Sequence, residues 1–168
     1  MSIANTIQFR MVSFIHETLY SLFRDPFKAL KAAGVEAGQK VLEVGCGPGF
    51  FTVPAAKLVG KQGSVTAMDI NPRAVEHVRE KIEQAGVTNA TAICADAART
   101  GLPSQSFDLV FLFGFRHTTG DIAHIMAEMH RLLKPAGKLV TEGRMSVPES
   151  LFMSLNCQRT ILQFEKRG

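Results

Sequence analysis

The chain has 168 residues (18.3 kDa), 46% of them hydrophobic and 20% charged. That is enough apolar material for one globular domain with a sizeable core, and too much for a disordered chain. The net charge of +4, from 19 Lys and Arg against 15 Asp and Glu, is dispersed, with Lys166-Arg167 the longest basic run. Such a balance permits an anionic partner without requiring one, and it lacks the clustered basic face of a nucleic-acid binder.

No apolar run reaches the ~20 residues of a membrane-spanning helix. Met1–Phe9 carries Asn5, Thr6 and Gln8 where a signal peptide would be basic and then apolar. The three cysteines, Cys46, Cys94 and Cys157, are too scattered for a disulfide framework and point to a reducing, cytoplasmic compartment.

In chain order, residues 5–33 are expected to be helical with a break at Asp25-Pro26. The first strand is Lys40–Val44, stopped by Gly45, and a helix over Phe51–Val59 follows. Ser64–Met68 is the second strand, closed by Asp69. Asn71 caps the next helix with Pro72 at its first position, Val75, Val78, Ile82 and Ala85 form its apolar stripe, and Gly86 stops it. Thr91–Ala95 is the third strand, with Cys94 expected in the core, closed by Asp96. Leu109–Phe113, entered from Asp108, is apolar throughout, as suits a central strand of a parallel sheet covered on both faces. A helix from Asp121 buries Ile122, Ile125, Met126, Met129, Leu132 and Leu133 and is ended by Pro135 and Gly137. Lys138–Glu142 is the fifth strand. Residues 148–168 are expected to hold one more helix and a short strand, Thr160–Phe164. This rhythm predicts an α/β, Rossmann-like doubly wound sheet, mainly parallel, with helices on both faces.

The chemistry concentrates at Glu43-Val44-Gly45-Cys46-Gly47-Pro48-Gly49-Phe50. A strand runs into three glycines and then a helix, so bare main chain and free N–H groups can face a ligand. A dinucleotide fingerprint, G-x-G-x-x-G, needs glycine where Phe50 stands, which disfavours a nicotinamide oxidoreductase. Asp69 and Asp96 each close a strand. A carboxylate at the first position can accept both hydroxyls of a ribose, and one at the second can accept an amino group such as that of adenine. Strand carboxyl ends share one crevice in an open α/β sheet, so these residues should converge.

On these residues, together with Asp96-Ala97, Asp108–Phe113 and Leu132-Leu-Lys-Pro-Ala-Gly137, the chain resembles the class I S-adenosylmethionine-dependent methyltransferases over about residues 36–145. The resemblance implies one domain: a helical cap (1–35), a cofactor-binding core (36–145) and a short extension (146–168). It also implies sheet order 3-2-1-4-5, here with an abbreviated C-terminal edge. S-adenosylmethionine is the implied cofactor. Gly45, Gly47 and Gly49 would face its methionine and ribose, with Cys46 a small filler within the loop. Glu43 would order the loop or the amino group. Asp69 would take the ribose hydroxyls, with Ile70 against adenine. Asp96 would hold the adenine amino group beside Ala97, and Phe113 would sit near the methyl group. The stretch Phe113–Asp121 is similar to the corresponding loop of quinone-biosynthesis C-methyltransferases.

Methyl transfer from a sulfonium is an in-line displacement, so the protein mainly aligns nucleophile, methyl and sulfur. A base is needed only if the nucleophile must lose a proton. His117 is the candidate base and Arg116 the candidate for steering an anionic group. The alternative for both is a surface loop. His124, Glu128 and His130 do not share one helix face, so no metal site is expected. The expected acceptor is a small molecule. An RNA-directed methyltransferase and a non-catalytic cofactor-binding subunit that supports a partner are the alternatives. A sheet with only the short strand Thr160–Phe164 beyond the fifth would leave an exposed edge, which self-association into a homo-oligomer, through that edge or the N-terminal helices, would cover.

Overall fold

The computed structural model describes residues 25–114, 121–143, 145–158 and 160–168. Helix α1 (Pro26–Ala32) opens the described chain. Asp25 caps it, its carboxylate accepting from the Phe27 and Lys28 N–H groups, which is the physical content of the expected break. Then come β1 (Lys40–Val44), α2 (Thr52–Val59), β2 (Ser64–Asp69), α3 (Pro72–Gln84), β3 (Ala90–Cys94), β4 (Phe107–Leu112), α4 (Ile122–Leu132), β5 (Leu133–Glu142), β6 (Phe152–Gln158) and β7 (Ile161–Lys166).

The strands form one seven-stranded sheet in the order β3-β2-β1-β4-β5-β7-β6. The pairs from β3 to β5 are all parallel, which gives the expected order 3-2-1-4-5. Strands β1 and β4 at the centre are almost wholly buried because both faces are covered. On one face, Leu30, Val35, Phe51, Ala55 and Val59 pack against Val41, Leu109, Phe111 and Val140. On the other, Ile125, Met126, Met129 and Leu132 of α4 pack against Leu42, Val110, Leu112 and Leu139.

Four expectations are corrected. Among the described residues, 148–168 hold no helix: the expected short strand Thr160–Phe164 is found as β7, antiparallel to β5, and a further strand, β6, pairs with β7, so the C-terminal edge is one strand wider than expected and the outer edge is β6. All of β6 but Phe152 is exposed, so its sequence lacks the one-faced alternation that marks a strand. Leu133 belongs to β5 rather than α4. The β4–β5 register jumps from Phe107↔Leu133 to Leu109↔Lys138, and Lys134–Gly137 fill the irregular start of β5. Cys94, which reads as core, is exposed at the end of β3, and Ala85 is an exposed C-cap rather than part of the α3 stripe. Asp108 plays a structural part at the opposite end of the sheet, accepting from Lys134 Nζ (2.6 Å) and the Lys40 N–H (2.7 Å). Among the described residues no helix is long and apolar enough to cross a membrane.

Candidate cofactor and methyl-transfer site

The site is built where β1 ends. The Gly45 and Cys46 N–H groups both donate to Met68 O (2.8 and 2.9 Å), which folds the chain leaving β1 over the end of β2. Asp69, the last residue of β2, then ties the loop from the side. Its Oδ2 accepts the Gly47 N–H and its Oδ1 accepts the Asn71 N–H, both at 2.9 Å. Gly47 has φ +49° and a Cβ added there would meet nothing within 4 Å, so its α-carbon faces open space. Gly49, at φ +79°, is different: a Cβ would come 2.8 Å from Val78 Cγ2, so this glycine lets the loop pack on α3.

Beneath the loop lies Glu43, only 3% exposed. The Thr52 hydroxyl, at the start of α2, donates to its Oε2 at 2.5 Å. Burial pushes the Glu43 carboxyl up to about 8 against the pull of the Thr52 hydrogen bond, and the Asp69 charge adds to the rise. Burial likewise pushes the Cys46 thiol up, with Glu43 and Asp69 adding to it, so Cys46 is an inert filler rather than a nucleophile. Lys81 of α3, missed by sequence reasoning, lies beside the loop: its Cδ is 3.6 Å from the Cβ position of Gly49, and burial pushes its ammonium down to about 8.

Ile70 follows Asp69 and is 71% exposed, a bare apolar side chain at the strand end. Asp96 lies two residues past β3. Its Oδ1 accepts the Ala98 N–H (2.8 Å), and the side chain remains exposed. Ala97 beside it is partly buried against the α4-side cluster. Phe113, one residue past β4, is buried in an aromatic group, its ring 5.1 Å from Phe51 and 5.0 Å from Phe111. The structure therefore brings Glu43, Gly45, Cys46, Gly47, Gly49, Asp69, Ile70, Asp96, Ala97 and Phe113 to the same carboxyl-terminal edge of one parallel sheet. His117 and Arg116 lie outside the described residues.

Glu142, the last residue of β5, also stands at this edge and was not singled out from the sequence. The signal was available, since it closes an apolar strand just as Asp69 does. The helix residues that could tempt a metal reading are engaged elsewhere. His124 Nδ1 lies 2.8 Å from Asp121 Oδ2, Glu128 accepts from Arg131 and Thr100, and His130 Nε2 lies 3.0 Å from Arg167 O.

The arrangement suits a ligand with a polyhydroxylated ring, an apolar face and positive charge: two strand-end carboxylates, an exposed isoleucine and a buried acid beneath an open glycine turn. S-adenosylmethionine has that chemistry, with a ribose diol, an adenine, an ammonium and a sulfonium. The buried Glu43 carboxyl is costly to ionise by itself, and a cation beside it would favour its charged form.

Such a strand order with such a strand-end site defines the Rossmann-like methyltransferase class. Residues 41–137 match the methyltransferase domain family, and the chain belongs to it, among the class I S-adenosylmethionine-dependent methyltransferases. It is 34% identical over 131 residues to a demethylmenaquinone methyltransferase of Listeria welshimeri, a match covering 77% of this chain and 54% of the relative. It is 35% identical over 127 residues to a ubiquinone/menaquinone biosynthesis C-methyltransferase of Marinomonas sp., covering 74% and 50%. The chain thus spans about half the length of the curated relatives it matches. Among solved structures, an S-adenosylmethionine-dependent methyltransferase from Aquifex aeolicus superposes with a TM-score of 0.72 at 23% identity, covering 84% of this chain and 88% of that one. That likeness supports the fold.

Proposed function

We propose that this chain transfers a methyl group from S-adenosylmethionine to a ring carbon of a reduced quinone, a small aromatic diol. The observation that carries the methyl-donor reading is the convergence of Gly47, Glu43, Asp69, Ile70 and Asp96 at one strand-end crevice. The acceptor reading is supported by the curated relatives, whose names specify demethylmenaquinone and ubiquinone/menaquinone substrates. The aromatic group of Phe51, Phe111 and Phe113, buried beneath this end of the sheet, supports it too by giving the crevice an apolar backing.

The bound cofactor supplies an electrophilic methyl carbon on a positively charged sulfur. The protein's own residues orient and shield. Asp69 holds the ribose while its other lone pairs fix the Gly47 turn. Glu43, ionised by the arriving cation, anchors the loop through Thr52. Asp96 and Ile70 place the adenine. Phe113 and Phe51 keep water from the methyl end, where charge is neutralised as the new bond forms.

The test is two-stage. Calorimetry should show S-adenosylhomocysteine binding in preference to NAD. Incubation with 2-prenyl-1,4-dihydroxynaphthalene and methyl-labelled S-adenosylmethionine under anaerobic conditions should then give a ring-methylated product by mass spectrometry. Preferential NAD binding overturns the donor assignment. Cofactor binding without ring methylation overturns the acceptor.

A further inference from the structure

We infer that Glu142 is a further catalytic residue, the group that accepts the hydroxyl proton of the aromatic acceptor as its neighbouring ring carbon takes the methyl group. The inference rests on the quinol reading above and adds to it the residue that makes the ring carbon nucleophilic.

Placement carries it. Strand β5 runs parallel to β4, with Phe111↔Val140 and Leu112↔Thr141 in register, so Phe113 and Glu142 are the next pair at the carboxyl-terminal edge. Side chains alternate along a strand, so Glu142 shares a face with Val140 and Phe113 with Phe111. Val140, Phe111, Phe113 and Phe51 all belong to the cluster under α1 and α2, the helix that leaves the glycine loop. Glu142 therefore flanks this buried aromatic group on the side away from the glycine turn, one strand spacing (~4.8 Å) from Phe113. On its other side it pairs with the buried Ile161 of β7. Gly143, at φ +73°, turns the chain off the sheet immediately afterwards, its N–H donating to Thr160 O, so the carboxylate stands at the lip of the crevice. The residue is half-buried and its Oε2 is shielded from solvent. Among the described residues it is the acidic side chain that ends β5, whereas Glu43, Asp69 and Asp96 belong to or follow β1, β2 and β3 on the other side of β4.

The chemistry follows from what an aromatic diol needs. Its ring carbon attacks well only when the adjacent hydroxyl gives up its proton. Glu142 accepts that proton. The new C–C bond forms as the C–S bond breaks, with the electron pair staying on sulfur. The ring C–H proton leaves to water, and Glu142 returns its proton to the oxygen. The balance is one methyl group gained by the ring and one proton released, with no oxidant or reductant consumed. A positioned base of this kind contributes roughly 10²–10⁴-fold.

The test uses the full chain and two readouts. Glu142→Gln should leave S-adenosylhomocysteine affinity and melting temperature unchanged, while kcat for 2-prenyl-1,4-dihydroxynaphthalene falls about 100-fold or more. The loss should shrink with halogen-substituted, more acidic diols, which need no base. Independently of turnover, the S-adenosylhomocysteine complex of the unaltered protein should bind 1,4-dihydroxynaphthalene more tightly than its dimethyl ether by calorimetry, and Glu142→Ala should abolish that preference. A variant with undiminished kcat, a loss indifferent to diol acidity, or a preference that survives Glu142→Ala overturns the inference while the acceptor reading stands. An unaltered protein that binds cofactor and leaves the diol unmethylated overturns both.

Discussion

Replacing Asp69 with alanine separates the two tasks assigned to one carboxylate. A carboxylate offers about four acceptor positions, and two are already taken, Oδ2 by the Gly47 N–H and Oδ1 by the Asn71 N–H. The remaining pair matches the two hydroxyls of a ribose. Hydrogen bonds to a charged group contribute about 1.5–3 kcal/mol each, and the freed hydroxyls return to water, so a net loss of about 1–3 kcal/mol is expected. That corresponds to roughly 5- to 150-fold weaker binding of S-adenosylhomocysteine. The substitution also leaves two main-chain N–H groups without their acceptor, so a lowered melting temperature should accompany the loss of affinity. Asp69→Asn should not rescue either effect, because whichever way the amide is turned its NH2 faces one of those N–H donors. Calorimetric titration with S-adenosylhomocysteine, alongside a circular-dichroism melt, reads both quantities. A folded Asp69→Ala variant with a dissociation constant within twofold of the unaltered protein would refute the ribose role.

Glu43 gives a pH signature. Its carboxyl is raised from 4.5 to about 8 in the folded, cofactor-free protein, so between those values the folded state holds a proton that the unfolded state has lost. Stability from this group is therefore complete below about pH 4.5 and is lost as pH rises towards 8. Glu43→Gln should raise the melting temperature relative to the unaltered protein at pH 8, with the gap closing towards pH 5; equal melting at both pH values would contradict the buried acid. Titration of S-adenosylmethionine at pH 7 in buffers of different ionisation enthalpy should show net proton release in the unaltered protein and none from this group in Glu43→Gln. Gly47→Ala and Gly49→Ala both strain a positive φ by about 1–2 kcal/mol, but only the second meets Val78, at 2.8 Å. Gly47→Ala should mainly lose cofactor affinity and Gly49→Ala mainly thermal stability, by a further 1–3 kcal/mol or so of overpacking; melts and titrations giving the reverse ranking would break the assignment of the open face. Ile70→Ser should leave the melt nearly unchanged, because the side chain is 71% exposed, while weakening S-adenosylhomocysteine several-fold. Unchanged affinity would remove Ile70 from the adenine.

The parallel half of the sheet and its ligand edge are legible in the sequence because each depends on local chemistry. Strand β4 reads as buried on both faces because its residues are apolar but for Asp108. Asp25, Asn71 and Asp121 announce helix starts because each side chain satisfies an N–H of the first turn. What does not read is whatever depends on a distant neighbour. Strand β6 owes its existence to pairing with β7, and an edge strand open to water carries little hydrophobic pattern. The irregular start of β5 is a register shift against β4, invisible until the two strands are paired.

The same distinction separates the acids of the site. Asp69, Asp96 and Glu142 all end or follow a strand, so a single rule, a carboxylate closing an apolar run, finds all three once it is applied to every strand. Glu43 cannot be found that way, because its importance comes from being inside a strand rather than at its end. The covering of β1 by α2 desolvates it, and Thr52 is its hydrogen-bond donor. In the cofactor-free state a neutral Glu43 spares the crevice a second buried negative charge beside Asp69, which an ionised pair would hold only at a cost in stability. An arriving ammonium or sulfonium removes that cost, so ionisation and cofactor binding favour one another. A ligand of the same shape without positive charge gains nothing from Glu43. On the proposed reading the buried acid would favour a cationic adenosyl compound over neutral nucleosides, which the open glycine turn and Asp69 alone would admit.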